Sequence, residues 1–139
     1  MRKIICFSHG NLARGMTETV KMIAGNFDNI DYYCAYVRED EDIEKEIDRI
    51  ILENQENELF IVSDIFGGSV NNEWIKRINK GEKIHLIAGM NLAFVIELLV
   101  LINDSKMKGA EVVQKAMTSA RENFVYCNQL QMDLEEDDF

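Results

Sequence analysis

The chain has 139 residues, a formal net charge of −10 at pH 7 and 47 % hydrophobic content, which is enough apolar material for one domain with a real core and too much for a disordered chain. The acidic balance excludes a nucleic-acid binder, whose phosphate contacts require clustered Lys and Arg, and leaves basic protein partners compatible. The opening "MRKIICFSHG" turns polar after a few apolar residues, so it reads as part of the fold and not as a signal.

In chain order, "KIICFS" (Lys3 to Ser8) is a nearly continuous apolar run, the pattern of a strand covered on both faces of a parallel sheet. Helical spacing follows, with Leu12, Met16, Val20 and Ile23 on one face and a stop at Gly25. "YYCAYV" (Tyr32 to Val37) is a second strand, and Ile43, Ile47 and Ile51 set the inner face of a second helix. "LFIVSD" (Leu59 to Asp64) is the third strand. Ser69 is expected to cap a third helix that runs through Trp74, a core residue, and Ile78 to Gly81.

"KIHLIAG" (Lys83 to Gly89) gives the fourth strand, with His85 half-buried within it, and Asn91 caps the next helix. That helix, "LAFVIELLVLI" from Leu92 to Ile102, is interrupted by Glu97 and falls short of the ~20 residues of a membrane span, so it reads as a buried helix. A fifth helix extends from about Met107 to Phe124, with Val113, Met117, Ala120 and Phe124 on one stripe. Cys6, Cys34 and Cys127 lack ligand spacing and are expected to be buried free thiols in a reducing compartment; no metal site is expected.

Strand and helix alternate four times, which builds a single open, doubly wound, mostly parallel α/β sheet with strand order 2-1-3-4 and helices on both faces. Residues 1–132 form the domain, and residues 133–139, "DLEEDDF", are a frayed acidic tail.

Ligands of such sheets bind at the carboxyl ends of the strands. His9 ends strand one, Asp64 ends strand three, and Gly67, Gly68 and Ser69 lead into the third helix. Taken singly, each has a structural reading as a turn or helix junction. Their shared location points to chemistry. With strands one and three adjacent, Asp64 accepts the Nδ1 proton of His9 and leaves Nε2 as an outward nucleophile. Gly10, Gly67 and Gly68 admit backbone N–H groups close to a ligand, Ser69 adds a hydroxyl, and two helix N-termini converge there as an anion seat. A nucleophilic histidine facing an anion seat points to phosphoryl transfer through nitrogen.

"FSHG" after the first strand, "LFIVSDIFGGSVNN" around Asp64 and "IAGMNLAFVIELL" after the fourth strand resemble the enzyme IIA domain of the mannose-type sugar phosphotransferase system. The likeness covers about the first 125 residues, in order. It implies a cytoplasmic phosphoryl carrier that takes phosphate from phospho-HPr onto His9 and donates it to a IIB domain. It implies no dissociable cofactor, and contact with the membrane only indirectly through the IIC and IID components. In the family the residue matching Asp64 partners the histidine, and that matching Ser69 lies beside the phosphoryl group. The family also implies a homodimer, often with an exchanged edge strand near the C-terminus, for which "FVYCNQLQM" (Phe124 to Met132) is apolar enough. Val70 and Ala93 stand where the family often has proline, making those helix starts less rigid.

Other classes fit less well. A related alternative is the phosphocarrier subunit of a dihydroxyacetone kinase, although its segment after strand three typically lacks Gly-Gly-Ser. A receiver domain phosphorylated on Asp64 would need an acidic pair after strand one, where Phe7, Ser8 and His9 stand. A histidine phosphatase would need an arginine before the histidine and a second histidine facing it. A flavodoxin-like binding module would want a Ser/Thr-rich phosphate loop, which "HGNLARG" is not.

Overall fold

A computed structural model describes residues 1–78, 83–104 and 106–130. Their order is β1 (Arg2–His9), α1 (Leu12–Ala24), β2 (Ile30–Ala35), α2 (Ile43–Glu53), β3 (Glu58–Ser63), α3 (Ser69–Ile78), β4 (Ile84–Ala88), α4 (Leu92–Asp104) and α5 (Gly109–Arg121). The expected stop of α3 at Gly81 and the tail over 133–139 lie outside the described residues.

The sheet has the order β2-β1-β3-β4, with every pairing parallel, as the alternation of elements requires. Because successive side chains of a strand point to opposite faces, β1 and β3 each feed two cores. Ile4, Cys6, Phe60 and Val62 pack with α1, α4 and α5. Ile5, Phe7, Leu59 and Ile61 pack with Ile47 of α2 and with Val70 and Trp74 of α3. Phe7 and Trp74 meet edge to face at 5.7 Å, and burying each such side chain stabilises the fold by roughly 1.5–3 kcal/mol. No described helix is long and apolar enough to cross a membrane.

Several helix faces differ from their expected stripes. In α1 the buried residues are Ala13, Thr17 and Val20, while Leu12 and Ile23 are exposed. Thr17 tolerates burial because its hydroxyl donates to the Ala13 carbonyl at 2.9 Å, which satisfies the polar group inside the helix. In α5, Val113 and Ala120 are buried and Met117 packs against the core as expected, joined by Gly109, Val112 and Ala116, but Phe124 lies beyond the helix end and is exposed. Of the three cysteines only Cys6 is buried, Cys34 is half-buried, and Cys127 is exposed, contrary to expectation.

The edge strand expected over Phe124 to Met132 does not form within the chain. Residues 124–126 are irregular, Cys127–Gln129 is a 3₁₀ turn, and residues 131 and 132 lie outside the described residues. Phe124, Val125, Tyr126 and Leu130 are exposed, and the segment pairs with neither outer strand of the sheet within the described residues.

At the amino end of the sheet a polar clasp closes the fold. Glu58 of β3 accepts from Arg2 Nε at 2.9 Å and pairs with His85 Nε2 of β4 at 2.7 Å, and Arg2 also donates to the Met107 carbonyl at 2.5 Å, just before α5. The His85 ring stacks on Phe60 at 4.6 Å, consistent with its half-buried position within the strand. Burial alone would raise the Glu58 carboxyl, but hydrogen bonds from His85 and Arg2 outweigh it and hold the group below its ordinary range.

Candidate active site

Three strands end on one rim and bring together residues far apart in sequence. His9 is the last residue of β1 and lies in register with Ala35, the last of β2, while Asp64 follows Ser63, the last of β3. At the end of β1 the buried Ser8 hydroxyl accepts the Ala13 N–H at 2.7 Å, so a strand residue caps the first turn of α1 and Asn11 makes no side-chain cap. Gly10 turns the chain with φ +58° and donates its N–H to the Ala35 carbonyl at 2.8 Å. Only glycine takes that conformation without strain.

The imidazole of His9 is 42 % exposed, whereas the Asp64 side chain is 11 % exposed. Asp64 Oδ2 accepts the His9 backbone N–H at 2.8 Å and meets His9 Nδ1 at 2.8 Å, and Oδ1 accepts the Ile65 N–H at 3.0 Å. Burial opposes ionisation of Asp64. The three hydrogen bonds and the charge of His9 outweigh that cost, so its carboxyl sits below the ordinary carboxylate range. An ionised carboxylate only accepts, so it fixes the proton on Nδ1 and leaves the Nε2 lone pair of neutral His9 free to bond outward.

Nε2 faces Ser69 Oγ at 3.3 Å. The expected capping role of Ser69 is not what the structure shows: Ser69 is the first residue of α3, and Asn72 N–H bonds to the Gly68 carbonyl at 2.9 Å, which places Gly68 at the cap. The hydroxyl is turned across the rim, toward His9 and toward Tyr36 Oη at 2.9 Å. Gly68 lies so close beneath the imidazole that a Cβ there would stand 3.3 Å from His9 Cε1. Gly67 supplies a second left-handed turn, φ +81°, just before it.

Tyr36 escapes the sequence analysis because "YYCAYV" reads as strand to its end. In the structure β2 stops at Ala35 and Tyr36 adopts φ +65°, with its ring 5.3 Å from that of His9. Its position one residue past a strand's carboxyl end is the signal that could have found it. Among the described residues no group of His, Cys, Asp or Glu could hold a metal ion. A cleft of about 720 Å³ lies elsewhere, between β4 and the end of α5, lined by Ile87, Leu92, Phe94, Met117 and Phe124.

Residues 3–117 match the family model EIIA-man, described as the fructose IIA component of the sugar phosphotransferase system. The chain belongs to the mannose-type enzyme IIA family. Among solved structures, this IIA protein superposes on a Klebsiella pneumoniae protein reported as a candidate phosphoenolpyruvate-dependent sugar phosphotransferase system permease, with TM-score 0.84, 35 % identity and 92 % of each chain covered. The IIA protein of a fucose utilisation operon of Streptococcus pneumoniae matches with TM-score 0.68 and 26 % identity over 89 % of this chain and 96 % of that one. A mannose/sorbose-specific IIA subunit from Enterococcus faecalis shares the fold at TM-score 0.76 and 18 % identity, covering 94 % of this chain and 98 % of its own. Comparison with curated proteins found no match.

Proposed function

We propose that this IIA protein is a phosphoryl carrier that accepts phosphate from phospho-HPr on His9 and passes it to a IIB domain during coupled sugar uptake. The observation that carries the reading is the orientation of one ring. His9 Nδ1 is bound to Asp64 at 2.8 Å, so Nε2 faces the rim on which the first turns of α1 and α3 converge. The unpaired N–H groups of such first turns, with Gly10, Gly67, Gly68 and the Ser69 hydroxyl, favour a phosphoryl group.

In the transfer, the Nε2 lone pair attacks phosphorus in line, the donor's bond to phosphorus breaks as the N–P bond forms, and the Nδ1 proton stays against Asp64. Catalysis then rests on positioning and charge, since the transferred group needs little covalent help. The imidazole opens onto the surface, and Leu12, Tyr36, Val37, Ile65 and Phe66 around these strand ends are exposed apolar side chains. That rim suits a protein donor and a protein acceptor better than a small molecule. The same reading makes the protein a homodimer; the exposed Phe124–Leu130 segment and the open β4 edge support it, and light scattering measures it.

The test is incubation with phosphoenolpyruvate, enzyme I and HPr, followed by chemical analysis of the label. A label lost in acid, stable in base and absent from His9→Ala is expected. A hydroxylamine-sensitive label that depends on Asp64, or no label at all, overturns the carrier reading.

A further inference from the structure

Tyr36 is the one non-glycine residue with positive φ among the described residues, a conformation that costs a bulky side chain strain and persists only where neighbours impose it. Glu41 imposes it here. Its carboxylate accepts the Tyr36 backbone N–H at 2.5 Å through one oxygen and the Tyr33 hydroxyl through the other. The loop after β2 is thereby clamped so that Tyr36 reaches over the rim, with its hydroxyl 2.9 Å from Ser69 Oγ.

The direction of each hydrogen bond follows from the donors available. Asp64 accepts only, so Nδ1 of neutral His9 carries the proton and Nε2 accepts. Ser69 therefore donates its single hydroxyl proton to Nε2, and Tyr36 donates to the Ser69 oxygen. The order is Tyr36 to Ser69 to His9 to Asp64. Without Tyr36, the Ser69 hydroxyl is free to rotate and spend its proton elsewhere.

Building on the carrier reading above, we propose that Tyr36 is a positioning residue for phosphoryl transfer: it holds the Ser69 hydroxyl as a donor, aimed at Nε2 in the free protein and at a phosphoryl oxygen once the N–P bond has formed. The 3.3 Å separation of Ser69 from Nε2 is long for a hydroxyl donor. A small rotation releases the lone pair for attack, and the same proton then meets the arriving oxygen. No bond is made or broken at Tyr36, whose own proton remains on its oxygen.

Tyr36→Phe tests this, because the ring stays beside His9 and only the hydroxyl is lost. The first readout is the imidazole ¹⁵N spectrum of the unphosphorylated protein, in which Nε2 of Tyr36→Phe is expected to move away from the wild-type position toward that of Ser69→Ala. The second is transfer from phospho-HPr. Tyr36→Phe is expected to lower the maximal rate about threefold to tenfold, the worth of one neutral hydrogen bond, with the half-saturating HPr concentration changed less than about twofold. In a Ser69→Ala background the same change should cost almost nothing further, since the two groups act as a unit.

A wild-type Nε2 signal in Tyr36→Phe, a loss confined to half-saturation, or fully additive losses in the double variant overturns the proposal. Failure of the wild-type protein to take label on His9 overturns the carrier reading instead, and the ¹⁵N spectra still judge the relay by themselves.

Discussion

One oxygen of Asp64, Oδ2, lies 2.8 Å from both the backbone nitrogen and the ring Nδ1 of His9. The histidine is held twice by a single atom, once through its main chain and once through its ring, so the imidazole cannot turn without giving up a charge-assisted bond.

Asp64→Asn should therefore keep the fold and lose rate. A hydrogen bond to a charged group is worth about 1.5–3 kcal/mol, so transfer from phospho-HPr should slow by roughly tenfold to a hundredfold. Acid stability supplies a second check. The Asp64 carboxyl is depressed in the folded state, so its stabilising contribution is complete above the ordinary carboxylate pKa and is lost as pH falls through the lower folded value. Thermal unfolding followed from neutral to strongly acidic pH should show a smaller acid loss for Asp64→Asn than for the wild type. Equal acid limbs would count against the pairing.

Gly68→Ala probes the floor beneath the ring. The added Cβ would stand 2.9 Å from Ile65 Cγ2 and 3.3 Å from His9 Cε1, so Ile65 must move and the imidazole must shift by a few tenths of an ångström. The expected result is a severalfold lower transfer rate with the melting temperature within a few degrees of wild type, read from single-turnover kinetics and calorimetry. A large fall in melting temperature with an unchanged rate would reverse that assignment.

The order of the sheet and the meeting of His9 with Asp64 were legible in the sequence, because apolar runs with short helical crossovers leave few topologies and both residues sit at strand ends. Tyr36 was not. Its backbone is set by the Glu41 carboxylate, five positions on and in a loop, and no periodicity reports such a contact. The sequence placed the Ser69 hydroxyl on the rim but also as the helix cap, and the cap fails for a similar reason: serine before a helix favours capping, but two polar groups across the rim compete for the hydroxyl and win. In α1, Thr17 took a buried place that hydropathy assigns to a larger apolar residue, since its bond to the Ala13 carbonyl is invisible to hydropathy. The Arg2, Glu58 and His85 clasp joins three strands and leaves no local pattern at all.

That clasp makes Gly109→Ala a stability variant. A Cβ at 109 would stand 2.5 Å from His85 Nε2 and closer still to the Glu58 carboxylate, so the pair must part or α5 must lift. The expected cost is about 1–3 kcal/mol, measured by urea denaturation. Transfer through His9 should stay at the wild-type rate at temperatures where the variant is folded. A loss of transfer greater than the loss of folded protein would contradict this separation.

Thiol reactivity should rank by exposure. Cys6 is wholly buried and its thiol is pushed up to about 12 by that burial, against a smaller lowering from Thr17, while Cys127 is exposed. Alkylation at mildly basic pH followed by mass spectrometry should label Cys127 first, Cys34 more slowly and Cys6 only on unfolding. Early labelling of Cys6 would mean that the core opens without global denaturation.

β1 begins at Arg2 in the clasp and ends at His9 in the site, and seven steps of a parallel strand span about 23 Å. Heat tolerance and turnover are thus governed from opposite poles of one strand. A library randomised around Arg2, Glu58, His85 and Gly109 can be sorted for endurance while the chemistry is left alone, and one built around Tyr36, Gly68 and Ser69 can be sorted for speed while the frame still holds. Substitutions drawn from the two sets, being well beyond contact, should combine by simple addition.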